Sequence, residues 1–195
     1  MEQKSYHHGS LQTELIEEGL ALIHEEGIRN FSLRRLAKRV GVTPTACYNH
    51  YKGIDDLLVA IQTYVTNKFS LRLRECMTGK NPSEDMERMG IAYVIFFLEN
   101  PTYFTFIYDN SNYEIKLDEM GFQSDFEPFK IFEEAGSKML DERGIPKEQQ
   151  KDYLLMMWTV VHGLAAMANM KGFHYSGDWE SLVGNMLRAQ CIFWE

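Results

Sequence analysis

No run of about 18 uninterrupted apolar residues occurs in the chain, so a membrane-spanning helix is not expected. The polar opening MEQKSYHHGS carries no apolar signal-peptide core, and a cytoplasmic location is the expectation. Cysteine is scarce: Cys47, Cys76 and Cys191 are odd in number and far apart, which argues against a disulfide framework, and no Cys-x-x-Cys pair suggests zinc. There is no repeat, no low-complexity tract, no glycine-rich phosphate loop and no alternation of apolar and polar residues of the kind strands show. No nucleophile, base and orienting carboxylate fall into a persuasive arrangement, so neither an enzyme nor a cofactor is expected.

Positive charge is also in short supply, with a net charge of −8. That total disfavours a nucleic-acid partner, because phosphate binding draws on Lys and Arg. The distribution reverses the inference. Residues 1–53 hold seven Lys/Arg against six Asp/Glu, and the rest hold thirteen against twenty-two. Arg29, Arg34, Arg35, Lys38 and Arg39 crowd together, either as a solvated helix face or as a patch for phosphates.

What the chain does have is helical periodicity. Leu11, Leu15, Ile16, Leu20 and Ile23 recur at three- and four-residue spacings between Gly9 and Glu26, and Gly27 ends that helix as a left-handed cap would. Ser32 can cap a second helix, LRRLAKRV, closed by Gly41. Thr43-Pro44 then reads as a cap with proline at the first helical position, opening a third helix of about two turns. Three helices in so short a span, the last two joined by a brief glycine-containing turn, give a helix-turn-helix outline at about 32–51. A long fourth helix follows, ending near Gly79. Further helices are expected over 82–100 with Ser83 as cap, over 127–143, over 147–170 and after Asp178, with TYFTFIYD as a short aromatic piece. The run 109–125 reads as a loop with a helical turn near 116–120.

By helical spacing the third helix turns Val42, Cys47 and Tyr51 toward the first two helices and Thr45, Tyr48, Asn49 and Lys52 outward. Asn can pair with adenine, a Thr methyl can meet the thymine methyl, and Tyr, His and Lys reach phosphate oxygens, with the basic second helix across the backbone. Cys47 and His50, three apart, supply at most two of the four ligands zinc needs, so no metal is expected.

The segment FSLRRLAKRVGVTPTACYNHYKGIDDLL resembles the helix-turn-helix of the TetR family of bacterial transcriptional regulators. YHHGSLQTELIEEGLALIHEEG is similar to the first helix of one subgroup, with Ser10 in place of the usual Asn, and Trp158-Thr-Val-Val-His162-Gly163 is similar to its C-terminal Trp-x-x-x-His-Gly signature. The resemblance implies a homodimeric repressor or activator, with a repressor as the expectation. By position, Ser32 and Arg34 contact phosphate, with Arg35 beside them; Thr43, Thr45 and Asn49 face bases; Tyr48 and His50 hold phosphate. Where the family usually has Lys at the start of the fourth helix this chain has Ile54, with Lys52 two positions earlier to replace it. His7 and His8 fall near the DNA backbone or in a free arm.

The fold expected is therefore all-α. A helix-turn-helix domain (1–54) is joined by the long fourth helix to a helical ligand-binding and dimerisation domain (55–195). Aromatic and Met stripes there are mostly core, yet a pocket for a small, largely apolar or aromatic ligand is expected at Tyr93, Phe97, Tyr103, Trp158 and His162. YLLMMWTVVHGLAAMANM is apolar nearly all round, and it and the final helix are expected to form a four-helix seam in a homodimer. The partners are thus near-palindromic double-stranded DNA, the ligand and a second copy, with no membrane. Two alternatives compete: a ligand-binding or interaction module without operator specificity, and an enzyme using His162 as base.

Overall fold

The computed structural model describes residues 8–110, 113–119 and 121–192. Side chains at 8–10, 110 and 190–192 are outside that description, which leaves His7, the side chains of His8 and Cys191, and Phe193 aside. The helices are α1 (His8–Glu26), α2 (Leu33–Val40), α3 (Pro44–Tyr48), α4 (Ile54–Glu75), α5 (Pro82–Glu99), α6 (Pro101–Asn110), α7 (Glu127–Glu142), α8 (Lys147–Ala168) and α9 (Trp179–Ile192). A short 3-10 turn spans Ile28–Asn30, and strands β1 (Ile115–Asp118) and β2 (Gly121–Ser124) stand between α6 and α7.

The chain divides into two compact units, Met1–Val65 with Thr105–Ser111, and Thr66–Phe104 with Asn112–Glu195. In the first, the apolar stripe of α1 is buried together with Leu36 and Ala37 of α2, Cys47 of α3 and Leu57 and Ile61 of α4. Gly19 lets α1 and α4 approach closely, since a Cβ there would lie 3.2 Å from Ile61 Cδ1. Each fully buried Leu or Ile of this kind contributes roughly 1.5–3 kcal/mol.

The second unit is built around α5, which packs against α7, α8 and α9. Two glycines set the spacing. A Cβ on Gly90 of α5 would lie 2.5 Å from Leu187 Cδ1 of α9, and one on Gly136 of α7 would lie 2.5 Å from Leu154 Cδ2 of α8. Rings of Phe69, Tyr93 and Phe97 interlock with centroids 4.7 to 5.3 Å apart. In the first turn of α5, Asp85 is buried and accepts from Thr78 N (2.7 Å), Gly79 N (2.8 Å) and Arg88 Nη2 (2.5 Å). Burial alone would raise its pKa; the Thr78 N–H, the Arg88 guanidinium and the Gly79 N–H outweigh that and bring it down to about 2.

Four local expectations need correction. The 109–125 run is not a loop with a helical turn near 116–120: Ile115 pairs with Ser124 and Asp118 with Gly121 in an antiparallel hairpin. β1 is exposed throughout, so no inward-outward alternation marks it in the sequence. α3 is shorter than two turns, because Asn49 already serves as its C-cap. The cap of α5 is Asn81, whose Oδ1 accepts from Ser83 N (3.0 Å) and Glu84 N (3.2 Å), so Ser83 lies inside the helix. Gly27 has positive φ (80°) but extended ψ (151°), so it leads into the 3-10 turn and is not a left-handed cap.

Candidate functional site

The first unit presents α3 by capping both ends of the turn that precedes it. Ser32 Oγ accepts from Arg35 N (3.3 Å) at the start of α2. Gly41, at φ 78° and ψ 27°, ends α2 in the left-handed region, and Val42 N reaches back to Ala37 O (2.9 Å). Thr43 Oγ1 then accepts from Ala46 N (3.2 Å), with Pro44 at the first helical position. The chain thus turns within Gly41-Val42-Thr43, where only a residue without Cβ adopts the required φ cheaply.

Two anchors fix the roll of α3. Cys47 is fully buried, and burial pushes its thiol pKa up. Tyr51 is 3% exposed and donates from Oη to Gln12 O of α1 (3.4 Å). With that side held, Thr45, Tyr48, Asn49 and Lys52 face solvent, Tyr48 at 57%. Thr43, Asn49 and His50 also share a depression of about 460 Å³ with Leu11 and Val42. Among the described residues no cluster of three or more His, Cys, Asp or Glu side chains could hold a metal ion.

The basic patch is less available than its composition suggests. Arg39 forks onto two acids of α1, with Nε 2.6 Å from Glu18 Oε2 and Nη1 2.6 Å from Glu25 Oε2. The Arg39 hydrogen bond holds the Glu25 carboxyl below its usual pKa. Arg35 reaches Glu26 (2.6 Å) and Asn30 O (3.3 Å). Arg34, Lys38 and Lys52 are exposed without an ion pair among the described residues. Lys52 N donates to Asp56 Oδ2 (2.9 Å), and Ile54 is half-exposed at the first position of α4.

In the second unit a cavity of about 220 Å³ opens among α4, α5, α7, α8 and α9. Of the five expected pocket residues it is lined by Tyr93 alone. Trp158 packs against Phe129 (4.9 Å), Tyr93 (5.2 Å) and Phe132 (5.2 Å). His162 Nδ1 lies 3.0 Å from Tyr93 Oη, and its ring 5.6 Å from that of Phe104. Burial lowers the His162 pKa. Phe97 is buried in the ring cluster, and Tyr103 Oη accepts from Lys68 Nζ (3.4 Å). Phe97, Trp158 and His162 therefore hold Tyr93, Tyr103 packs on Phe96, and Met86, Met89, Phe132, Met139 and Met157 bound the space. The charged rim of Arg143, Arg188, Glu84 and Glu87 had no signal in the sequence, since it is assembled from helices distant along the chain.

α8 has two faces. Leu154, Met157, Val161 and Leu164 are buried, while Leu155, Met156, Met167 and, just beyond the helix, Met170 are exposed, as is Met186 on α9. Among the described residues no helix is long and apolar enough to cross a membrane.

Two family models match the chain. One, described as bacterial regulatory proteins of the tetR family, covers residues 15–61; the other, a tetracyclin repressor-like C-terminal domain, covers residues 86–190. YobS, an uncharacterized HTH-type transcriptional regulator of Bacillus subtilis, is 26% identical over 96 residues, 49% of this chain and 50% of that protein. An HTH-type transcriptional regulator of Staphylococcus aureus is 26% identical over 82 residues, 42% of this chain and 44% of that one. The matches thus span about half the length of these relatives or somewhat less. A protein of unknown function from Rhodococcus sp. RHA1 shares the fold, with a TM-score of 0.73 at 20% identity over 96% of both chains. The TetR family regulator PfmR from Thermus thermophilus gives 0.65 at 17% identity, over 89% of this chain and 94% of that one.

Proposed function

The chain belongs to the TetR family of bacterial regulatory proteins, and from that membership we propose that it is a cytoplasmic, sequence-specific DNA-binding transcriptional regulator, a repressor whose hold on DNA is set by a small ligand. Its subgroup is the one with an N-terminal YHHG and a C-terminal Trp-x-x-x-His-Gly, carried here by residues 6–9 and 158–163. DNA reading belongs to residues 1–54 and ligand binding and dimerisation to 55–195.

The observation that carries the reading is the division of α3 and the residues just after it: Cys47 and Tyr51 are buried, while Thr45, Tyr48 and Asn49 stand in solvent. Asn49, Thr43 and Thr45 face bases, Ser32, Arg34, Tyr48 and His50 face phosphates, and Lys52 takes the role left by Ile54. Arg35 contributes by orienting the start of α2 through Glu26 and Asn30. The exposed apolar residues of α8 and α9 support a homodimer through those helices, placing two α3 helices in successive major grooves about 34–36 Å apart. A ligand that fits one conformation better shifts that spacing and so the affinity.

Selection from a random DNA pool tests this directly. A near-palindromic site should be enriched, and binding to it should weaken steeply with salt. A pool that stays unenriched, or affinity indifferent to ionic strength, would remove the DNA-reading role and leave the ligand-binding module.

A further inference from the structure

The cavity of the second unit carries more information than its presence. Its lining is mostly apolar, and four methionines, Met86, Met89, Met139 and Met157, share it with the rings of Tyr93 and Phe132. The Tyr93 hydroxyl is already engaged with His162. All charge sits at the rim. An apolar cavity of about 150 Å³ holds benzene, so about 220 Å³ takes one ring with a short side chain. Thioether sulfurs make favourable contacts with ring edges and adapt to a flat occupant better than branched side chains do.

The rim decides the sign of the polar end. Glu84 is paired with Arg88 (3.3 Å) and Glu87 with Arg188, so a cationic ligand would have to displace a guanidinium at either carboxylate. Arg143 Nη2 donates to Ser83 Oγ (3.3 Å), which leaves the Ser83 O–H proton available to an incoming acceptor. Ser83 also lies in the first turn of α5, whose dipole favours a negative group. Guanidinium, hydroxyl and helix start meet at one edge of a mostly apolar space whose other charged lining residues, Glu84, Glu87 and Arg188, are ion-paired.

We propose that this cavity binds a small aromatic monocarboxylate, ring inward among the methionines and carboxylate outward on Arg143 and Ser83. The proposal rests on reading the second unit as the ligand-binding part, and names the ligand class. Calorimetry on the full chain with phenylpropanoate, phenylpropanol, phenylpropylamine and octanoate tests it. The acid should bind about tenfold or more tighter than the alcohol, the amine should be weakest, and octanoate should trail phenylpropanoate. Arg143→Gln should bring the acid down to the level of the alcohol and leave the alcohol unchanged. Arg143 is exposed, and circular dichroism checks that the variant folds; Ser83→Ala, expected to weaken the acid several-fold, gives an independent reading.

An amine as tight as the acid, octanoate as tight as phenylpropanoate, an Arg143→Gln variant with unchanged affinity, or no binding by any of the four would overturn the proposal. DNA selection with the same preparation separates the two levels. Enrichment of a site without acid binding defeats only the ligand class, whereas no enrichment defeats the regulatory reading itself.

Discussion

Asn49 combines exposure with the chemistry to pair with adenine, and as C-cap of α3 it is held by its N–H to Thr45 O (3.1 Å). Asn49→Ala should cost about 1–3 kcal/mol at the selected site and relax the preference at one base pair, while weak binding to random DNA stays unchanged. Gel-shift titrations on the selected and a scrambled duplex measure both. His162 makes a different prediction. Its folded pKa lies below the ordinary 6.5, so the unfolded chain takes up the proton more readily and the stabilisation from the neutral ring is complete only above that value. Urea midpoints should fall as pH drops from about 7 to 5, and His162→Gln should flatten that part of the profile. Equal pH dependence in the variant and the parent would refute the assignment. Single residues were legible in the sequence where their role is local: Ser32, Thr43 and Gly41 follow from cap chemistry alone. Arg39 was not, because the acids that claim it are 14 and 21 residues away, on another helix.

At the scale of elements, the amphipathic stripes of α1 and α2 announced both helices and the faces they bury. The hairpin escaped notice because each strand has four residues, too few for a period of two to stand out. The cavity escaped for another reason: its lining comes from five helices, and in each of them the residues concerned look like ordinary core. Only Tyr93 was common to expectation and cavity. α8 reads as apolar nearly all round, and its exposed Met156 and Met167 lie eleven residues apart, which returns to one helix face, with the exposed Leu155 beside that face. Met156→Glu with Met167→Glu should therefore split the dimer without unfolding the subunit. Sedimentation at micromolar concentration should show a monomer for the double variant and a dimer for the parent. A parent that already sediments as a monomer would dispose of the seam.

For the whole molecule, the charge balance and the ion pairs together bound the electrostatics of DNA binding. Arg29, Arg34, Lys38 and Lys52 are exposed cations without an ion pair among the described residues, so a dimer of the proposed kind presents about eight, and log affinity should fall against log salt with a slope of about −7. A slope near −10 would mean that Arg35 and Arg39 leave their acids on binding. The clamp of Arg39 between Glu18 and Glu25 then has a kinetic side. Attraction to arbitrary sequence scales with the cations in play, and the acidic remainder of the chain adds repulsion. A regulator of the proposed kind, so sparing of free cations, should leave non-cognate duplex quickly, cover a chromosome by short visits instead of long slides, and dwell only at the site that the proposed reading face selects.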